Sequence, residues 1–347
     1  MNRKTFLSKT TIVLSLLVFA SCDAIFINNG EYTQSEIFDY FCRDIDKYYV
    51  FLDYKNIDWE NVSQSYLPRV SDDMSDESLF QVLSDLMNEL QDGHCNLFAP
   101  FAVSRYDFYS SAPANHNKKL IGERYLEDAL MTQSIQYGFI RRGESEYGYI
   151  YYGSFMNTLY EYELSYAINR FVKANVKGII LDIRDNTGGL ILNVYTLVDH
   201  FADIERPIYQ TYHKVNKTTY EFEETIYCVP KGNSYKGPVA LLTNRLCYSA
   251  SSFAAAAFKA IPHVVQIGDK TGGGMGLPTG GELPNGWEYR ISTNVNMDAR
   301  TESFDQVEYN YESGVPADIM IDMDPDEEAG GIDSIMEAAI TNIDSRS

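Results

Sequence analysis

Apolar residues along the chain follow two different rhythms. Between Ser35 and about Leu90 they recur at three- and four-residue intervals. Ile37, Phe38, Phe41, Ile45 and Tyr48 mark one helical face. Ser75, followed by Asp76 and Glu77 and then Leu79, Phe80, Val82, Leu83, Leu86, Met87 and Leu90, reads as a capped amphipathic helix. The pattern predicts a small helical domain that closes at Gln91-Asp92-Gly93-His94. From Phe101 to Glu146 no period dominates, which predicts loops and short strands. Beyond Tyr147 strands alternate with helices. Strands are expected at 147–153, 178–183, 239–243 and 264–267, and helices at 159–174, 192–201 and 249–260. That alternation predicts an α/β fold, with βαβ units around a mainly parallel sheet. The expected organisation is a targeting segment at 1–22, a helical domain at 23–100, a connecting segment at 101–146 and a core at 147–345.

Charge narrows the function. The formal net charge is −21, and such an acidic surface excludes nucleic acid, whose phosphates need Lys and Arg fields. The first residues read as an export signal: Arg3, Lys4 and Lys9 precede an apolar run at 12–20, too short to span a bilayer. It ends in Phe19-Ala20-Ser21-Cys22, which resembles a bacterial lipobox, making Cys22 the expected lipidation site. An ordinary cleaved signal is the alternative. Removing the three positive charges takes the net charge from −21 to near −24. No later run reaches transmembrane length, so attachment is expected through lipid alone, in the cell envelope of a bacterium, at the periplasmic face or outer membrane. Cys42, Cys95, Cys228 and Cys247 show no C-x-x-C pair, so no metal site is expected.

Two turns that follow buried strands carry the candidate chemistry. The first is Leu181-Asp182-Ile183-Arg184-Asp185-Asn186-Thr187-Gly188-Gly189 and the second Thr243-Asn244-Arg245-Leu246-Cys247-Tyr248-Ser249-Ala250-Ser251. Ligands of parallel sheets gather at the carboxyl ends of strands, where both turns lie. Ser249 opens a helix, whose free N–H groups favour developing negative charge. A serine there, facing a glycine turn, has the parts of an acyl-transfer site, nucleophile plus oxyanion donors. Read alone, the same residues describe an N-cap and a turn, and Ser251 or Ser252 would serve as well for the cap.

Five motifs in order, spanning about residues 35–320, distinguish these readings. The segment from Gly178 to Gly189 resembles the strand-and-turn signature of the tail-specific, or C-terminal-processing, serine peptidases. Tyr248-Ser249-Ala250-Ser251 resembles their nucleophile turn. Ile267-Gly268-Asp269-Lys270-Thr271-Gly272-Gly273 resembles their next strand and glycine loop. Gly314-Val315-Pro316-Ala317-Asp318-Ile319 resembles their closing motif, and Leu90-Gln91-Asp92-Gly93-His94 the junction between helical domain and core. The resemblance implies a crotonase-like core, a peptide or protein substrate and no cofactor. It makes Ser249 the nucleophile, with oxyanion donors from Gly188 or Gly189 and Ala250. A catalytic lysine is common in that family, but its position is occupied here by Gly274, and Lys270 matches a non-catalytic position. The 52 residues between His94 and Tyr147 are too few for a PDZ domain of ~80–100 residues. Both departures resemble the tricorn-like branch with its Ser-His-Glu arrangement. The resemblance then implies His94 as the base and Glu312 as the acid, with Glu308 in reserve. His116, His200, His213 and His263 stand in no motif. If His94 reaches Ser249, Cys95 and Cys247 flank one site and are candidates for a disulfide.

Three competing functions remain. A non-catalytic peptide- or glycan-binding lipoprotein would share the fold. An α/β-hydrolase esterase would need G-x-S-x-G, and both glycines are missing around Ser249. A crotonase-type acyl-CoA enzyme suits neither export nor a serine nucleophile.

Overall fold

A computed structural model describes residues 32–107, 109–299 and 310–346. The export signal, Cys22 and Glu308 lie outside the described residues. Three helices open the chain: α1 (Gln34–Tyr48), α2 (Trp59–Tyr66) and α3 (Asp76–Asn88). Thr33 caps α1 in a reciprocal capping box with Glu36, and Ser75 accepts the Ser78 N–H at the start of α3. Next come β1 (Asn96–Ala99), β2 (Ala102–Val103), α4 (Lys118–Arg124), β3 (Leu126–Met131), β4 (Gln136–Arg142) and β5 (Ser145–Tyr151). They lead into α5 (Glu161–Ala174), β6 (Ile179–Asp182), α6 (Ile191–Asp199) and the strands β7 (Arg206–Asn216) and β8 (Thr219–Cys228). The remainder is β9 (Val239–Thr243), α7 (Ala250–Phe258), β10 (Val264–Gly268), β11 (Gly276–Glu282), β12 (Glu288–Asp298), β13 (Ile319–Met320), α8 (Pro325–Ala329) and α9 (Ser334–Asp344).

The central sheet has the strand order β13-β10-β9-β6-β5-β4-β3. It is parallel from β13 to β5 and antiparallel beyond. Successive residues of its middle strands serve two cores. Ile179, Leu181, Val239 and Leu241 pack with Leu164 and Phe171 of α5, Val194 and Leu197 of α6, and α7. Ile180, Ala240 and Leu242 pack with Ile335, Ala339 and Ile343 of α9. A strand buried on both faces must be apolar throughout, which is why β6 and β9 read as continuous apolar runs.

A second sheet is antiparallel, ordered β2-β1-β12-β7-β8 with β11 also on β12. It forms the floor under the N-terminal helices: Phe41 and Ile45 of α1 and Leu83 and Leu86 of α3 share a core with Ile291, Val295 and Met297 of β12. Two features depart from the sequence expectation. The segment 101–146 is more than a connection, since β3 and β4 extend the central sheet itself. The long strands β7, β8, β11 and β12 were not foreseen. Three register shifts between β7 and β8 break the two-residue alternation that would have marked them. No helix among the described residues is long and apolar enough to cross a membrane.

Candidate active site

Ser249 stands between β9 and α7, at the carboxyl edge of the central sheet. Its backbone has φ 56° and ψ −124°, a left-handed conformation that a non-glycine residue holds only under constraint from its surroundings. That constraint is visible. Tyr248 N–H donates to Asn186 O at 3.1 Å, Ser249 N–H to Gly273 O at 2.9 Å, and Gly272 N–H to Cys247 O at 2.7 Å. The turn is thus clamped between the two glycine loops. In consequence the Ser249 side chain makes no capping hydrogen bond. Ser251 and Ser252, by contrast, are spent structurally. Ser251 Oγ donates to Asn186 O, and Ser252 Oγ to Cys247 O.

The first glycine turn lies directly against this serine. A Cβ on Gly188, which has φ +97°, would fall 2.8 Å from Ser249 Cβ and 2.9 Å from Ala250 N, so only glycine permits the approach. The Gly188 N–H itself donates to Asn186 Oδ1 at 3.0 Å. The Gly189 N–H donates to no protein acceptor among the described residues. Ala250 N–H, at the first position of α7, has no intrahelical acceptor. Of the three expected oxyanion donors, Gly189 and Ala250 are therefore the open ones. Behind the turn, Asp185 at φ 60° accepts from Asn244 Nδ2 at 2.8 Å and pairs with His116 Nδ1 at 2.8 Å. His116, which no motif marked, is a brace for the loop.

His94 lies between α3 and β1, beside the Ser249 turn. Its ring centroid is 5.0 Å from that of Tyr248, and His94, Thr187, Tyr248 and Ser249 line one cavity of about 340 Å³. The His94 backbone is held from both sides. Its N–H donates to Asp92 Oδ1 at 2.8 Å, and its carbonyl accepts from Arg290 Nε at 3.1 Å. Burial lowers the imidazole pKa below its ordinary value, with Asp92 opposing and Arg290 and Lys55 assisting. Nδ1 is buried and meets no acceptor among the described residues.

Glu312 reaches the neighbourhood but not the His94 ring. Its Oε2 accepts the Met275 N–H at 2.8 Å and its Oε1 pairs with Lys55 Nζ at 3.1 Å. The acid next to His94 is Asp92, which sequence reasoning passed over although it stands in the same motif. Asp92 also accepts from the hydroxyls of Tyr49, Tyr248 and Ser292, tying the end of α1, the Ser249 turn and β12 to the histidine. Two buried carboxyls share one cation here. Burial resists ionisation of Asp92, but Lys55, His94 and its hydrogen bonds outweigh it and hold the carboxyl below its usual range. Burial and the Asp92 charge then push Glu312 up to about 7, against the pull of Lys55.

The position expected to hold a family lysine is closed. Gly274 has φ +74°, and a Cβ there would fall 2.7 Å from Cε1 and Cε2 of the Tyr248 ring. Lys270 donates Nζ to Ser313 O at 3.0 Å and lines a neighbouring cavity, not the one holding Ser249. Gly274→Ala is therefore expected to destabilise the fold by roughly 1–3 kcal/mol, through backbone strain and overpacking against Tyr248. Denaturant titration checks this; an unchanged midpoint would mean that the loop yields freely. The expected Cys95–Cys247 disulfide is not formed. All four described cysteines are free, the Cys247 thiol donating to Ile183 O at 3.0 Å and Cys95 lying buried beside Asp92.

Residues 146–320, just over half of the chain, match the sequence model of peptidase family S41. The chain belongs to peptidase family S41. Residues 31–88 of this S41 chain match the Tricorn protease C1 domain. The crystal structure of a candidate peptidase from Parabacteroides merdae superposes with a TM-score of 0.81 at 31% identity, covering 90% of this chain and 97% of that one. Mature CPAF shares the fold, with a TM-score of 0.63 at 10% identity over 90% of this chain and 96% of that one. Among curated relatives, the carboxy-terminal processing protease CtpA of Bacillus subtilis is 30% identical over 130 residues, which is 38% of this chain. That match spans about a quarter, 27%, of the CtpA length. The family is one of serine-type peptidases, and the mixed α/β core with a small N-terminal helical region is the family's fold.

Proposed function

We propose that this chain is a serine endopeptidase that cleaves peptide bonds through an acyl-enzyme, with Ser249 as the nucleophile and His94 as the general base. The observation that carries this reading is the left-handed, clamped backbone of Ser249, which leaves its hydroxyl without a capping role beside His94 in one cavity. Constrained backbone of this kind clusters at reactive sites because the surrounding fold must hold it. His94 Nε2 takes the hydroxyl proton as Oγ bonds to the scissile carbonyl carbon. The carbonyl oxygen, now negative, is met by the N–H groups of Gly189 and Ala250. Collapse of the adduct breaks the C–N bond, and His94 returns the proton to the departing amine. Water, deprotonated in turn by His94, attacks the ester carbon; the C–Oγ bond breaks and His94 returns the proton to Ser249 Oγ, releasing the acid. Gly188 serves as the spacer that lets the turn approach. The acid role falls to the buried Asp92–Glu312 pair rather than to a direct Glu312–His94 contact. Asp92 holds the histidine backbone, and Glu312 with Lys55 sets the charge around Asp92. A fluorophosphonate probe should label wild-type protein at Ser249, identified by peptide mass mapping. Absence of labelling would favour a binding protein on the same fold.

We further propose that the chain is exported and anchored in the cell envelope through acylated Cys22. The Cys22→Ser variant should move from the detergent phase to the soluble fraction of a Triton X-114 partition. Unchanged partitioning of that variant would remove the anchor.

A further inference from the structure

We propose that Arg105 forms a subsite for a carboxylate of the peptide, supplied by an Asp or Glu side chain near the scissile bond. This rests on the peptidase reading of the same cleft and adds its substrate preference. The chain carries 49 acidic residues against 28 basic ones, yet among the described residues that line the cavity around Ser249 there is no Asp or Glu, while Arg105 and Arg290 are present. A larger cavity of about 640 Å³ adjoins it across Gly93, Tyr106 and Tyr248, and adds Lys55 and Lys270. The two cavities together carry four cations against one described carboxyl, Glu312, in an otherwise acidic molecule, and such a local excess attracts anionic ligands.

Three of the four are already engaged within the protein. Arg290 donates to His94 O and Asn96 Oδ1, Lys55 to Leu90 O, Gln91 O and Glu312, and Lys270 to Ser313 O. Arg105 makes no hydrogen bond or ion pair with any described residue and is exposed to the cavity. Its backbone is nonetheless fixed. The preceding Ser104 exchanges hydrogen bonds with Leu97 of β1, its N–H donating to Leu97 O at 2.9 Å and its Oγ accepting the Leu97 N–H at 2.8 Å. Asn96 Nδ2 also donates to Ser104 O at 3.2 Å. A free guanidinium on an anchored backbone beside the nucleophile is suited to bidentate capture of a carboxylate, which a neutral amide cannot reproduce.

The test uses Ser249→Ala protein, which binds without turnover, and fluorescent peptide libraries with Glu or Gln fixed at each position in turn. Each library is made with a free and with an amidated C-terminus. Fluorescence anisotropy should show Glu peptides binding roughly ten- to a hundredfold more tightly than Gln peptides at one position, the range expected for a charged hydrogen-bonded pair. Adding Arg105→Gln should bring that ratio close to one, Arg105→Lys should retain part of it, and C-terminal amidation should leave it unchanged. Equal binding of Glu and Gln peptides at every position, or a ratio untouched by Arg105→Gln, would overturn the proposal. So would a preference that follows the free C-terminus alone. Failure of the peptidase reading appears separately, as wild-type protein that the fluorophosphonate does not label.

Discussion

Ser249→Ala should abolish peptide cleavage and fluorophosphonate labelling while leaving the fold unchanged. The expected loss in kcat is roughly 10⁴- to 10⁶-fold, the scale seen when a serine peptidase loses its nucleophile and keeps only its oxyanion donors and binding cleft. Folding should be spared for a specific reason. An N-cap serine usually contributes about 1 kcal/mol through a hydrogen bond to its helix, but Ser249 makes no such bond. The clamp on the turn runs through backbone groups of Tyr248, Ser249 and Gly272, which alanine preserves. Steady-state cleavage and a thermal melt on the same preparation check both halves. Retained turnover in the variant would take Ser249 out of the mechanism.

Removing the base should have the second largest effect. His94→Ala is expected to lower kcat by roughly 10³- to 10⁶-fold, because no other described base lines the Ser249 cavity with a proton-accepting nitrogen. Lys270→Ala should alter kcat only slightly, since its ammonium is tied to Ser313 O in the adjoining cavity. The pH profile supplies the sign. Only the neutral imidazole accepts a proton, so activity should rise with pH through the His94 pKa. Burial is the main influence and depresses that pKa, so the acid limb should lie below the ~6.5 of a free imidazole. Asp92 pulls the other way, and Asp92→Asn should move the limb to still lower pH. A limb well above 6.5, or an active His94→Ala beside an inactive Lys270→Ala, would return the mechanism to a lysine base.

Much of this architecture was legible without coordinates. Helices α1 and α3 bury one stripe each, so their apolar residues keep the helical period that marks them. Strands β6 and β9 lie between two helical layers, so they appear as unbroken apolar runs. The two turns at the ends of those strands, and the glycine that must stand where Gly188 meets Ser249, are local requirements and leave a local trace. The strands of the second sheet left none, since bulges between β7 and β8 scramble their alternation and their partners lie far along the chain.

The Ser249 turn, the glycine loops and the histidine motif were determined by the sequence itself, because each depends on residues within a few positions of one another. Only the tertiary structure decided how they combine. It locked the local Asp92–His94 turn in place, because β12 carries Ser292 to Asp92 and Arg290 to the His94 carbonyl from about 200 residues away, and it left Glu312 bonded to Met275 and Lys55 instead of to the His94 ring. It paired Lys55 of the helical region with Glu312 of the core and so divided one cation between two buried carboxyls. It also filled the place of the missing lysine with the Tyr248 ring. Burial, shared charge and steric exclusion act across space, and no spacing along the chain encodes them.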